Sequence, residues 1–178
     1  MGKPDLLQTI GPGIENMRVA NLGSGKCDNA ISIQARCIPC LSITNVDIFY
    51  PSLHYLQTQP FAARLVEYVH SDIITWIPKQ EPRSYDVVLF FDVLEHLEFT
   101  AGQKALRQCK RLATRKVIVF GPLGDCPQEA YEGNMYQRHL SVVTIQRLER
   151  FGFKVEVLSG FHDQFDPPRD ACWAVLDI

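Results

Sequence analysis

The first residues able to do chemistry are a glycine pair and two carboxylates. Asn21-Leu22-Gly23-Ser24-Gly25 ends a β-prone run. Gly-x-Gly between a strand and a helix lets backbone approach a ligand closely and aims free helix N–H groups at it. Asp47 follows Gly25 by 22 residues, at the predicted end of a second strand, where a carboxylate can accept from both hydroxyls of a ribose. Asp72 stands just past a third strand, where it can receive an adenine amino group while Ile73 packs on the ring. Alone, each Asp would equally suit a helix N-cap or a turn. Together they fall at successive strand ends, where open α/β sheets bind ligands.

The residues around the glycines separate the ligand classes. A P-loop needs Gly at position 20 and Ser or Thr after Lys26, and the chain has Ala20 and Cys27. A dinucleotide fingerprint needs Gly or Ala where Asp28 stands. The remaining class is the S-adenosylmethionine site, with Asn21, Gly23, Ser24, Gly25, Asp47, Ile48, Asp72, Ile73, Phe91 and Asp92 as expected contacts. Methyl transfer from a sulfonium is an in-line displacement with a neutral leaving group, so such a site chiefly aligns the acceptor in a dry pocket. A general base helps only a protonated acceptor. His139 is the first candidate for that role, because imidazole titrates near neutral pH, and His96 is the second. Tyr136 and Arg138 could orient a polar or anionic acceptor. His139 also lies two residues before a predicted helix cap, so a loop-stabilising hydrogen bond is its competing role. Glu95 reads as the start of a helix, and His54, His70 and His162 as structural or surface residues.

Apolar runs and helical patterns alternate along the chain, as in α/β architecture with a largely parallel sheet. Strands are expected at residues 18–22, 42–48, 65–70, 86–91, 116–120, 153–157 and 172–176. The run 86–91 is continuously apolar, as a central strand covered on both faces must be. Helices are expected through Ala30, Ile31, Ile33 and Gln34, and around residues 51–57. A long one starts at a Thr100–Gln103 capping box and buries Leu106, Cys109, Leu112 and Ala113. Another begins at Ser141 or Thr144 and stops at Gly152. The Gly-, Pro- and Asn-containing stretch 121–140 is long for a connection, which marks it as a substrate loop.

At this point the chain resembles class I S-adenosylmethionine-dependent methyltransferases of the small Leu-Glu-His type. Val19-Ala20-Asn21-Leu22-Gly23-Ser24-Gly25 looks like their first motif, Val46-Asp47 like their ribose-binding strand end, and Ser71-Asp72-Ile73 like their adenine contact. Residues 85–97, ending in Leu94-Glu95-His96-Leu97, resemble their fourth-strand motif; residues 148–155 resemble their late helix-Gly-Phe-strand junction. The resemblance spans roughly residues 17 to 160. It implies a Rossmann-like, doubly wound, mostly parallel sheet of about seven strands with an antiparallel last strand and helices on both faces. It also implies methyl transfer to a small-molecule or metabolite acceptor. Two positions depart from the family: Asn21 replaces an Asp or Glu that helps hold the methionine amino group, and Cys27 replaces a third glycine. These departures predict weaker cofactor binding and leave a second reading, a non-catalytic S-adenosylmethionine-binding protein with a degenerate first motif.

Composition bounds the rest. With 178 residues, 46% hydrophobic and 21% charged, one globular domain spanning residues 1–178 is expected. The formal charge of −2 gives nucleic acid no electrostatic footing as a partner. The cluster Lys104, Arg107, Lys110, Arg111, Arg115 and Lys116 reads as a solvated helix face. No run approaches the roughly 18 apolar residues of a membrane span, and Met1-Gly2-Lys3-Pro4-Asp5 leads into no sustained apolar stretch, so no export signal is expected. Six cysteines then read as reduced thiols in a cytoplasmic protein. Cys37-Ile38-Pro39-Cys40 is a lone CxxC with only scattered partners, so no metal is expected. Fewer than twenty residues precede the first strand, which leaves the 121–140 loop as the lid, with a homodimer partner as an option for completing the pocket.

Overall fold

Five parallel strands, β1 (Arg18–Leu22), β2 (Ser42–Asp47), β3 (Leu65–His70), β4 (Tyr85–Phe91) and β5 (Ala113–Pro122), form most of the sheet in the computed structural model. Two more, β6 (Lys154–His162) and β7 (Arg169–Asp177), complete the order β3-β2-β1-β4-β5-β7-β6. β7 is antiparallel to both of its neighbours and lies between them, leaving β6 at the edge. The structure describes residues 3–131 and 133–178. Residues 1 and 2 of the segment read for an export signal, and residue 132 of the 121–140 loop, lie outside that description.

Helices cover both faces, as the sequence pattern requires. Ala20, Leu22, Val88, Phe90, Val117 and Val119 point to one side, under α3 (Ile73–Trp76), α4 (Phe99–Leu112) and α5 (Ile145–Glu149). Val19, Ile43, Val87, Leu89, Phe91, Ile118 and Phe120 point to the other, under α1 (Leu6–Ile10), α2 (Tyr50–Gln57) and a 3₁₀ segment, Ser32–Cys37. β4 is buried on both faces from Val87 onward, which explains its unbroken apolar run. No helix among the described residues is long and apolar enough to cross a membrane.

Three local expectations change. The helix expected after the glycine loop is the 3₁₀ segment instead; Asn29 Oδ1 accepts from the backbone N–H of Ile31 and Ser32 and holds the chain in a turn before it begins. The Thr100–Gln103 box does not form, because α4 starts at Phe99 with Glu98 before it and no side-chain cap. β5 runs on to Pro122, where it pairs with Ala171, so the loop begins at residue 123 rather than 121. Of the two starts offered for the late helix, Thr144 is the cap: its Oγ1 accepts from Arg147 N.

Candidate functional site

The carboxyl ends of β1 to β4 open on a cleft of about 780 Å³. It lies where β1 has β2 on one side and β4 on the other, the point at which a doubly wound sheet binds its ligand. Gly23, Ser24, Gly25, Asp47, Ile48, Asp72, Ile73, Phe91 and Asp92 all line it. Gly23 has φ +66°, and a Cβ there would stand 2.4 Å from Val93 Cγ2, so only glycine lets the loop pass. Gly25, at φ +55°, has open space where its Cβ would be.

The loop spends its N–H groups on β2, contrary to the expectation that they face a ligand. Gly23 N and Ser24 N donate to Val46 O at 2.8 and 3.1 Å, and Gly25 N donates to Asp47 Oδ2 at 2.7 Å. These three N–H groups are therefore not free to bind an anion. Asp47 also accepts from Phe49 N through Oδ1 at 2.8 Å. Burial raises its pKa, while those hydrogen bonds and the nearby His70 oppose the rise. Asp72 caps α3 through Oδ1, accepting from Ile74 N, so it fills the cap role while facing the cleft. Ser24 Oγ is buried without a hydrogen-bond partner among the described residues.

Asn21 does not line the cleft. Its Nδ2 donates to Asn45 Oδ1 at 2.9 Å on the neighbouring strand and lies 3.4 Å from Cys27 Sγ, all within the buried interior. Cys27 takes the left-handed conformation expected of the glycine it replaces, with φ +47°. Its thiol turns back to Ser24 O, and burial pushes its pKa up to about 12.

A second cavity, about 650 Å³, adjoins the first and shares Asn29, Asp92, His96 and Gln137 with it. Phe120 and Pro122 of β5, Leu158 to His162 of β6, and Cys126, Gln128 and His139 of the loop supply much of its wall. Asp92 sits at the seam with φ +51°, and its Oδ2 accepts from Asn29 Nδ2 at 3.1 Å. Burial lifts its carboxyl to about 7. Glu95 is held well above the usual carboxylate range, first by burial and then by the charge of Asp92. Its backbone carbonyl accepts from Leu140 N and Ser141 N, which pins the end of the loop to the strand-end turn.

His96 lines both cavities, and burial lowers its pKa to about 4. His139 lines the second cavity; its pKa is also lowered by burial, and its ring meets that of His96 edge-on, centroids 4.9 Å apart. Its Nδ1 bonds Cys126 O, so the loop-holding role is real and leaves Nε2 for other work. Tyr136 lines the first cleft rather than the second cavity. Arg138 lines neither: its side chain pairs with Glu129 at 3.3 Å, and only its carbonyl serves the site, accepting from His96 Nδ1.

Two groups escaped the sequence reading. Glu95 is 2% exposed, with Oε2 lacking a partner among the described residues. His162 lines the second cavity with its Nε2 buried and unpartnered among the same residues. Only the adjacency of Glu95 to His96 could have marked the first. His162 needed the β6–β7 pairing to bring it near. Of the two roles offered for His54 and His70, both take the surface one, exposed beside the ring of Tyr50. In the CxxC, Cys37 is exposed and Cys40 is buried with its thiol on Ser42 O.

Residues 20–120 match the family model described as a methyltransferase domain. No curated protein matches the chain. Among solved structures, an S-adenosylmethionine-dependent methyltransferase from Archaeoglobus fulgidus superposes with a TM-score of 0.61 at 16% identity, over 94% of this chain and 89% of that one. The 1,6-didemethyltoxoflavin-N1-methyltransferase of Burkholderia thailandensis, solved with 1,6-didemethyltoxoflavin and S-adenosylhomocysteine, gives 0.61 at 16% identity, over 92% and 71%. Magnesium protoporphyrin IX methyltransferase from Synechocystis PCC 6803, bound to S-adenosylhomocysteine, gives 0.60 at 15% identity, over 92% and 75%. With more than half its length inside the family model and this strand order around the cleft, the chain belongs to the methyltransferase domain family and has the class I S-adenosylmethionine-dependent fold.

Proposed function

We propose that the protein transfers a methyl group from S-adenosylmethionine to a small-molecule acceptor. The observation that carries this reading is the pair of adjoining cavities, one walled by the glycine loop and strand-end carboxylates, the other by the histidine-bearing loop. The residues of the first fit the cofactor. Asp47 has lone pairs left over from its two backbone bonds for ribose hydroxyls. Asp72 and Ile73 suit adenine, and the open space over Gly25 with the unpartnered Ser24 hydroxyl suits the methionine end. When bound, S-adenosylmethionine supplies an electrophilic methyl on a cationic sulfur.

The chain's own residues do the rest. Phe91 and Val93, almost fully buried, give the first cleft an apolar stretch of wall beside Asp92. His139 is neutral near pH 7, with the Nδ1 proton fixed by Cys126 O, and its Nε2 can accept a proton from a hydroxyl or ammonium acceptor. His96 is the weaker base, because its pKa is lowered to about 4. A volume near 650 Å³ suits a small ligand. The toxoflavin and protoporphyrin methyltransferases with the same fold act on molecules of that class.

Calorimetric titration with S-adenosylmethionine and S-adenosylhomocysteine tests the reading, and both are expected to bind. With an acceptor in hand, His139→Ala should cut turnover by ~100-fold and leave cofactor affinity unchanged. Absence of heat with either ligand at millimolar concentration would sink the proposal. A second reading, cofactor binding without transfer, draws on Asn21, whose amide is committed to Asn45 and Cys27 instead of the cleft. Binding of both ligands with no transfer to any acceptor would favour it.

A further inference from the structure

The corner where the two cavities meet gathers more ligating atoms than a general base needs. Glu95, His96 and His139 bring a carboxylate oxygen and two imidazole nitrogens within 4.8 Å of one another on the wall of the second cavity. Each imidazole turns Nδ1 to a backbone carbonyl, His96 to Arg138 O at 3.1 Å and His139 to Cys126 O. A carbonyl only accepts, so Nδ1 carries the proton and Nε2 keeps its lone pair in the neutral ring. Metal-ligating histidines are held in this way, with the far N–H donated to an outer acceptor that fixes the tautomer.

The third member supplies the independent sign. The Glu95 side chain is 3% exposed, Oε1 lies 3.9 Å from His96 Nε2, and Oε2 is buried with no partner among the described residues. A buried oxygen without a partner is costly, and a metal ion would satisfy it by displacing the proton that burial keeps on this carboxyl. Arg147 is the nearby cation and its charge acts on Glu95, but no hydrogen bond joins them among those described: its Nη atoms bond Ser141 Oγ, Val142 O and Phe99 O, and its plane lies over the Phe99 ring.

We propose that Glu95, His96 and His139 form a binding site for a divalent first-row transition metal, open toward the second cavity. Two imidazoles and one carboxylate suit Mn²⁺, Fe²⁺, Co²⁺ or Zn²⁺ better than Mg²⁺ or Ca²⁺, which prefer all-oxygen shells. Ligands at about 2.1 Å from an ion sit closer together than 4.8 Å, so the three side chains would have to draw in on binding. The remaining coordination positions face the cavity. Resting on the methyl-transfer reading, this narrows the acceptor to a molecule that offers the metal an oxygen atom. It also changes the part played by His139, because a nitrogen bound to a metal is not a base.

The test uses the full chain, stripped with a chelator and titrated with Co²⁺. The expected result is one saturable equivalent with the visible bands of a nitrogen-ligated ion, a rise in melting temperature, and weaker binding of Mg²⁺. His96→Ala, His139→Ala and the near-isosteric Glu95→Gln should each weaken Co²⁺ more than ~100-fold, beyond the loss of an outer-sphere partner. His54→Ala should not. Melting of each variant without metal shows whether the fold survives, and Glu95→Gln is the variant chosen to survive it. Unchanged Co²⁺ affinity in folded Glu95→Gln and His139→Ala, or preference for Mg²⁺, overturns the site. S-adenosylmethionine titrated into the same samples keeps the proposals apart: Co²⁺ bound without the cofactor supports the metal site alone, and cofactor bound without Co²⁺ removes it.

Discussion

Asp92 shows how one residue sets the character of the site. Its left-handed backbone turns the chain out of β4 and leaves the carboxyl on the seam of both cavities. Burial raises that carboxyl to about 7, and Glu95 beside it is also held well above the usual carboxylate range, by burial and by the Asp92 charge. A raised carboxyl keeps its proton in the folded state after the unfolded chain has lost it near pH 4. Its contribution is thus full below pH 4 and is lost as the pH climbs through about 7. Asp92→Asn keeps an acceptor for Asn29 and removes this dependence. Relative to the parent, the variant should gain melting temperature at pH 8 and little at pH 4; equal offsets at the two values would refute the assignment. At this scale the sequence was legible where a strand end dictates direction, as at Asp47 and Asp72. It was illegible where a side chain has a choice of partner. Asn21 turns inward because Asn45 lies opposite it on the paired strand. Glu95 looked like an ordinary helix start because nothing local reveals that α4 begins four residues later.

The glycine loop and the turn after β4 lock against each other as elements. Gly23 faces Val93, which opens the 3₁₀ turn Leu94–His96, so crowding at one displaces the other. Gly23→Ala adds both that clash and a left-handed φ, a cost of about 1–3 kcal/mol, which should lower the melting temperature by several degrees. Gly25→Ala carries the left-handed φ cost but meets no neighbour, so it should destabilise less than Gly23→Ala, while its methyl enters the cleft and weakens S-adenosylmethionine. Thermal melts beside cofactor titrations separate the two; a stability loss at Gly25 equal to that at Gly23 would contradict this division. The first four strands match their expected bounds to within one residue, because apolar runs survive in the sequence; β5, β6 and β7 run three to five residues further, where pairing with a neighbour extends them. The segment after Gly25 does not match: it has helical apolar spacing, but the Asn29 side chain and the loop's bonds to β2 tighten it into 3₁₀ geometry.

On the scale of the whole molecule, the doubly wound order puts both cavities at one end of the sheet. The basic side chains of α4 face elsewhere: Arg107 lies over Phe151, and Arg111 bonds Ile77 O. The alternation of strands and helices made this architecture legible. The placement of β7 between β5 and β6 came from the family resemblance only as an antiparallel last strand, since chain order alone does not say which edge a late strand will fill.

That placement has a consequence for biogenesis. Until β7 arrives, the long, apolar β5 presents an open edge to solvent, and β6 has no strand to pair with. A nascent or truncated chain in that state carries a template for pairing with its own kind. A chain ending at Pro168 should therefore accumulate as aggregate. A separate peptide of residues 169–178, aligned from Pro122↔Ala171 to Lys116↔Asp177, should return it to solution. Co-expression followed by size-exclusion chromatography would read this directly, and a soluble monomer without the peptide would show that β5 is protected by other means. The strand that completes the sheet is by the same reasoning a detachable one, and the protein offers a natural place to be split into two complementing fragments.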